Sequence, residues 1–595
     1  MELNAWALGS VALVGFATFY LGHRSSKPAR STHDFLLARR TVRSRRNAAA
    51  ISGEYLSAAS FLGIAGVVLK DGADALWYPI GFTAGYLALM LFVAAPLRRS
   101  GAYTLPDFVE ARLSSAGMRT FAGFVVVLIG VLYLVPQLQG AGLALATILP
   151  APAWVGSAAV AVVVMFNVVG GGMRAITVVQ AFQYWLKLFA ISAPTFVLCL
   201  LFFGGVAGTG SGALGSAAPP MFTEATTVAV ETPVLLQVSA PTSLRATGVV
   251  DGAPADGEVL WAPEVNHQVG AGTTLRFAAG TPVPIVEGAP VDNSRWLQPH
   301  DSGGWAVVGT YSLIFATFLG TMGLPHILVR FYTNPDGKAA RRTTLHVLLL
   351  LGLFYLFPTM LGALSRLYVP ELLVTGKTDA AVLLLPSAML PGPAGQILTA
   401  VIIAGAFAAF LSASSGLVFS VAGVVSTDML WGRVRDFRVA SVFVALIPLG
   451  LAVTLIPTDI TMSIGMAFAL AASTFAPVLL LGIWWRGLTA KGAVLSMIVG
   501  GGLVMIALAL SIVSAYTGNW APVLVNQPAL VSVPAAFLTA ILVSGATKAS
   551  VPADVNAVML RMHAPDPLGF VADREIPRYG LAEERVRLGS GRHRR

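Results

Sequence analysis

Long apolar runs separated by short polar connections fill this chain from residue 4 to residue 547. Each run is roughly 20 residues, long enough to carry a helix across the hydrocarbon core of a bilayer. None alternates with the period of two that a membrane barrel strand needs. The pattern predicts an all-α membrane protein of about thirteen transmembrane helices. They lie near 4–22, 49–70, 75–97, 119–148, 152–171, 174–206, 305–332, 343–368, 395–427, 437–456, 460–485, 491–515 and 528–547. The first run follows Glu2 and has no basic stretch before it, so it reads as a retained span rather than a cleaved leader. One connection is far longer than the rest. Residues 207–304 are rich in Gly, Pro and Asp, and the short β-branched segments Val228–Val238 and Thr273–Val286 predict a small β-rich insertion.

Composition agrees with a chain whose main solvent is lipid: 56% of residues are hydrophobic, only 11% are charged, and mean hydropathy is +0.76. A soluble chain carries about 25% charged residues. The formal charge of +10 does not mark a nucleic-acid surface, because the basic residues are scattered through short loops rather than gathered in a patch. They follow topology instead. Arg24, Lys27, Arg30, Arg39, Arg40, Arg43, Arg45 and Arg46 crowd the first loop, and the bias returns at every second connection, as at Arg98, Arg99 and Arg112, at Arg330, Lys338, Arg341 and Arg342, and at Arg433, Arg435 and Arg438. Cytoplasmic loops carry such an excess, so the N-terminus is expected outside and the C-terminus inside. The acidic 207–304 insertion then falls outside.

Several function classes drop away. The single cysteine, Cys199, allows no disulfide framework and no thiolate metal site. Gly210, Gly212 and Gly215 have a GxGxxG spacing with no βαβ context, so they read as a flexible linker. No GxxxxGK[ST] occurs, and the 548–595 tail is too short for an ordinary nucleotide-binding domain. No HExxH or GxSxG motif suggests an enzyme.

Polar groups inside spans carry the remaining signal, since ionisable side chains there are costly and usually mark a pathway. Glu54 sits in Gly53–Glu54–Tyr55–Leu56–Ser57–Ala58–Ala59–Ser60, a window small and polar enough for a helix to break and offer its carbonyls to an ion. Close helix packing is the plainer use of such small residues. Lys187 shares a helical face with Gln180, Gln183 and Tyr184. It either holds a carboxylate, or titrates during coupling, or snorkels to the cytoplasmic interface. Ser412, Ser414 and Ser415 put hydroxyls in mid-span, suited to a hard cation or else to bonding their own helix carbonyls. Gly320–Thr321–Met322–Gly323–Leu324–Pro325–His326 predicts a kink or a break. A break there would leave a half-helix N-terminus to receive a substrate carboxylate.

Four stretches carry a family resemblance: Gly53 to Gly63, Tyr103–Thr104–Leu105–Pro106–Asp107–Phe108, Gln139–Gly140–Ala141–Gly142, and Gly320 to Thr333. In them the chain resembles the sodium:solute symporter family, most closely its acetate-permease branch of monocarboxylate transporters. The resemblance implies a leucine-transporter-type fold of two inverted five-helix repeats. The chain then divides into 1–48 (first helix and basic loop), 49–206 (first repeat), 207–304 (insertion), 305–485 (second repeat), 486–547 (two additional helices) and 548–595 (tail). By position, the family's sodium site maps onto Gly53, Leu56, Ala409, Ser412 and Ala413. Ala413 departs from members with a second hydroxyl there; either Ser414, Ser415 or a water takes its place, or the coupling ion is a proton, with Glu54 and Lys187 as coupling candidates. Substrate is expected against Tyr55, Ser57, Gln139, Gly323 and Lys187. The implied function is symport of a short monocarboxylate such as acetate, propionate or pyruvate with sodium or a proton, without a resident cofactor, in a bacterial inner membrane. Proline, sugar or urea symport is the alternative within transport. A membrane sensor using the insertion is the alternative outside it.

Overall fold

A helix satisfies its own backbone hydrogen bonds, which is why apolar runs of this length fold as helices in lipid. The computed structural model describes residues 4–25, 40–204, 218–231, 233–263, 265–299, 304–430, 434–455, 460–517 and 520–569. The GxGxxG spacing at 210–215, much of the basic first loop and the last charges of the tail lie outside the described residues. Twelve helical stretches among the described residues are long and apolar enough to cross a membrane. One of them, Ala59–Arg99, has 41 residues, about twice what one crossing needs. It turns at Gly72, whose φ of 64° is left-handed, and continues through the 3₁₀ turn Gly72–Leu76. This stretch therefore joins the second half of the second predicted span to the third, and the twelve stretches cover the same apolar chain as the thirteen runs. Phe16, Phe19, Phe196, Leu200, Phe203 and Leu542 stand exposed on the outer helix faces, where lipid rather than water is their natural solvent.

Among the described residues, two membrane helices break in the windows singled out above. The first half-helix, Ser44–Tyr55, ends where Leu56 turns to ψ 82°, and helix resumes as a π turn over Ala59–Gly63 and then Ile64–Asp71. The second, Gly304–Gly323, stops before Leu324, which is extended, and Pro325 opens the short helix Pro325–Leu328. Proline removes an N–H and pushes the preceding residue out of the helical region. Packed against these breaks are Met173–Phe203, which carries Lys187, Pro393–Val424, which carries Ser412, and Ile460–Trp484.

The insertion folds as a seven-stranded antiparallel sheet: β1 Thr226–Val230, β2 Val234–Gln237, β3 Thr242–Val250, β4 Ala253–Trp261, β5 His267–Val269, β6 Thr273–Phe277 and β7 Ile285–Val286. Its order is β1-β6-β3-β5-β2-β7, with β4 paired to β3. The β3–β4 hairpin turns through Asp251 and Gly252, both at positive φ, the geometry of a two-residue hairpin turn. Leu236, Leu244, Trp261 and Leu275 form its own core, which reaches Leu372 and Leu373 of the short helix Glu371–Thr375. Polar stitches complete the attachment: Trp296 Nε1 donates to Val68 O (2.8 Å), and the Arg366 guanidinium bonds Asn293 Oδ1 (2.9 Å), Pro290 O (2.9 Å) and Leu69 O (3.2 Å). At the other end of the bundle Asp566 accepts from Arg99 Nε (2.9 Å) and from the backbone N–H groups of Gly337 and Lys338 (3.2 and 3.1 Å).

Candidate functional site

The break at Leu56 frees carbonyls at the end of Ser44–Tyr55, where the helix dipole is negative. Gly53 sits in direct contact with the lysine helix: a Cβ there would lie 2.3 Å from Gln180 O. Only glycine lets the two backbones approach so closely. Into the gap points Lys187, fully buried, with its Nζ donating to Gly53 O, to Leu56 O (2.7 Å) and to Ser412 Oγ (3.0 Å). Ser412 in turn donates to Gly53 O and leans on Ala409 O at 3.4 Å. Of the five residues mapped to the cation position, Gly53, Leu56 and Ser412 therefore converge on one point, which is the Lys187 ammonium. Ala409 and Ala413 are buried beside it on the same helix. Snorkelling of Lys187 to an interface is ruled out by its burial. Ser414 Oγ is buried with no hydrogen-bond partner among the described residues, and Ser415 is buried without joining the cluster.

Glu54 lies beside this cluster and is paired. Its Oε2 accepts from Arg330 Nε at 2.8 Å, with both side chains only 1% exposed. Arg330 also bonds Thr177 Oγ1 (2.9 Å), the Sδ of Met173 (3.0 Å) and Gln180 Oε1, while Gln180 Nε2 donates to Ser412 O (2.9 Å). The network thus links the break, the lysine helix, the serine helix and the segment after Pro325. Gly416 leaves the room Glu54 occupies, since a Cβ there would meet Glu54 Cδ at 2.1 Å. The sequence counts Arg330 among the loop charges, but it is buried and paired with Glu54; a cation close behind a broken membrane helix, with a carboxylate in the facing window, is the signal that pairs them.

On the other side of the break Tyr55 Oη meets Thr321 Oγ1 (2.8 Å), and its ring packs edge-on against Tyr86 (centroids 4.7 Å apart). Ser57 Oγ accepts from Tyr133 Oη (3.3 Å), and Tyr133 packs on His326. Gly323 lies at the second break, tight against Ala471 O. Gln139 is the exception among the predicted substrate residues. Its Nε2 turns away to Ala452 O and Leu455 O, both at 3.4 Å. Gln137, two residues earlier and so about 200° round the helix, faces the site instead. Its Oε1 accepts the Ala58 N–H (3.0 Å), and its buried Nε2 has no partner among the described residues.

A helical protein that crosses the membrane many times and gathers polar groups at two broken helices is a membrane transporter by architecture. The model of the family described as "Sodium:solute symporter family" matches residues 35–240 and 304–500, and the chain belongs to that family. It is 28% identical to the "Uncharacterized symporter YwcA" of Bacillus subtilis (strain 168), over 91% of this chain and 94% of that one. It is also 28% identical to the "Monocarboxylic acid transporter" of Corynebacterium glutamicum, over 87% and 86% of the two chains. Among solved structures, a Na+-coupled sialic acid symporter captured substrate-bound and outward-open matches with TM-score 0.59 at 14% identity, covering 91% of this chain and 98% of that chain. That likeness establishes the leucine-transporter-type fold expected from the sequence. The chain is a multi-pass solute symporter.

Proposed function

We propose that this symporter carries a short monocarboxylate, such as acetate, propionate or pyruvate, together with sodium or a proton, by alternating access about the two helix breaks. One observation carries the reading: a buried cation, Lys187, is held by broken-helix carbonyls and a serine hydroxyl, with the buried polar side chains of Tyr55, Ser57, Tyr133, Gln137 and His326 gathered at the two breaks. A small carboxylate entering there finds a nearby positive charge and the free Gln137 Nε2 donor, and its methyl or methylene group finds the rings of Tyr55, Tyr86 and Phe468. The monocarboxylic acid transporter among its relatives points to the same substrate class. The basic loops support a cytoplasmic C-terminus and an insertion on the opposite face. No cofactor is needed, because the work comes from the ion gradient. A cation and a carboxylate crossing one to one carry no net charge, so the cation's concentration gradient drives their accumulation, a tenfold gradient supplying about 1.4 kcal/mol; only a cation in excess of the carboxylate would add ~2.3 kcal/mol per 100 mV.

The test is uptake of labelled acetate into proteoliposomes under an imposed inward cation gradient, with propionate, pyruvate, proline and glucose as competitors. Monocarboxylates should compete and proline and glucose should not. Absence of acetate, propionate and pyruvate uptake under every gradient would sink the reading.

A further inference from the structure

The donors mapped to the cation position do not fit a sodium ion in this chain, because a side chain already uses them. Gly53 O, Leu56 O and Ser412 Oγ all accept from Lys187 Nζ. Ser412 gives its own proton to Gly53 O, so towards the lysine it can only accept. Three acceptors around one nitrogen match the three hydrogens of an ammonium, which has no acceptor of its own, and put that ammonium on the point where the three oxygens converge. The family's second hydroxyl position is Ala413, and the neighbouring hydroxyls of Ser414 and Ser415 make no hydrogen bond to this cluster among the described residues. Charge points the same way. Among the described residues, the charged group that acts on Lys187 is Glu54 on the broken helix, and Glu54 pairs with Arg330. Lys187 remains as one net positive charge, the same charge a bound sodium would bring, and a metal ion sharing its donors would be repelled by it.

We propose that Lys187 is a tethered replacement for the sodium ion, so that this member of a sodium-symporter family binds no sodium at this position and transports without it. Of the two coupling cations admitted above, the proton is the one left. Only the transport arm of the test rests on the symport reading.

Thermal unfolding of the purified full-length protein in NaCl, and in choline chloride of equal ionic strength, decides the binding claim without any substrate. The wild type should melt at the same temperature in both salts. A sodium-specific rise of roughly 3 °C or more would overturn the proposal. Lys187→Ala vacates the donors and should acquire such a rise; a folded variant that stays indifferent to sodium also overturns it. In proteoliposomes at fixed membrane potential and inward proton gradient, replacing sodium by choline should leave acetate uptake within about twofold, and a tenfold loss would be fatal. If no monocarboxylate enters under any condition, the substrate reading fails while the unfolding comparison still answers for Lys187. If Lys187→Ala does not fold, the wild-type comparison of the two salts stands by itself.

Discussion

Arg330 and Glu54 are buried together with almost no access to solvent, so neither can lose its partner cheaply. Removing one side of a buried pair costs about 3–5 kcal/mol, whereas removing both is often far milder. Arg330→Met should therefore lower the unfolding temperature more than Glu54→Gln with Arg330→Met combined, a sign of coupling that a double-mutant cycle of melting temperatures will read directly. A second contrast separates two glutamines. Gln137→Ala strands the buried Ala58 N–H, worth about 1–3 kcal/mol, and should cut acetate uptake roughly tenfold, while Gln139→Ala should change it by less than about twofold. Initial uptake rates normalised to protein amount check both, and equal losses would remove Gln137 from the site. Which residues are polar and in mid-span was plain from the chain, and Lys187, Glu54 and Ser412 stood out for that reason. Which of two glutamines faces inward was not, because a family motif is a string and two residues on a helix are nearly opposite faces. Nor did spacing show that Lys187 would reach the carbonyls of another helix, a contact between residues 53 and 187 that only tertiary packing creates.

At the level of helices, hydropathy located nearly every span within a few residues, because lipid enforces the length of an apolar run. The breaks were readable as small, polar or proline-bearing windows. Their consequence was less so: the end of Ser44–Tyr55 turns its carbonyls toward a neighbour, and that depends on the close approach permitted by Gly53. Gly53→Ala places a methyl group 2.3 Å from Gln180 O and must force the two helices apart. Overpacking of this kind costs about 1–3 kcal/mol. The lysine contacts should be lost with it, and uptake should fall at least tenfold while the protein still reaches the membrane, as surface expression and transport measured on the same cells will show. Retention of full uptake would mean the close approach has no part in transport. In the sheet, the flanking β-branched segments were evident, but β3 and β4 were hidden because Gly248, Gly257 and Pro254 break the run of strand formers. Pairing between the two strands overrides those local preferences.

Across the whole molecule, the Asp566 clamp fastens the tail helix Val555–His563 to the ends of two spans. Partial burial works against its charge, but the Arg99 hydrogen bond and charge and the two backbone N–H groups prevail and hold the carboxyl below its ordinary value of 3.8. A depressed carboxylate contributes its stability above the unfolded-state value and loses it only as pH falls through the lower folded one. The clamp should thus stay shut from pH 5 to 8, and any pH dependence of transport in that window arises elsewhere. Asp566→Asn should expose the tail to limited proteolysis at every pH in the range, and should leave the shape of the pH–uptake curve unchanged; a shifted curve would bring the tail into the coupling chemistry. At the opposite end, Trp296 and Arg366 tie the end of the insertion, residues 290–296, to the carbonyls of Val68 and Leu69, which close the far half of the first broken helix. That half-helix runs back to the turn beside Leu56. A nanobody gripping the insertion from its own side of the membrane would consequently have mechanical purchase on the half-helix at the centre of the proposed cycle, and such reagents offer a way to trap or slow individual steps without touching the residues at the break.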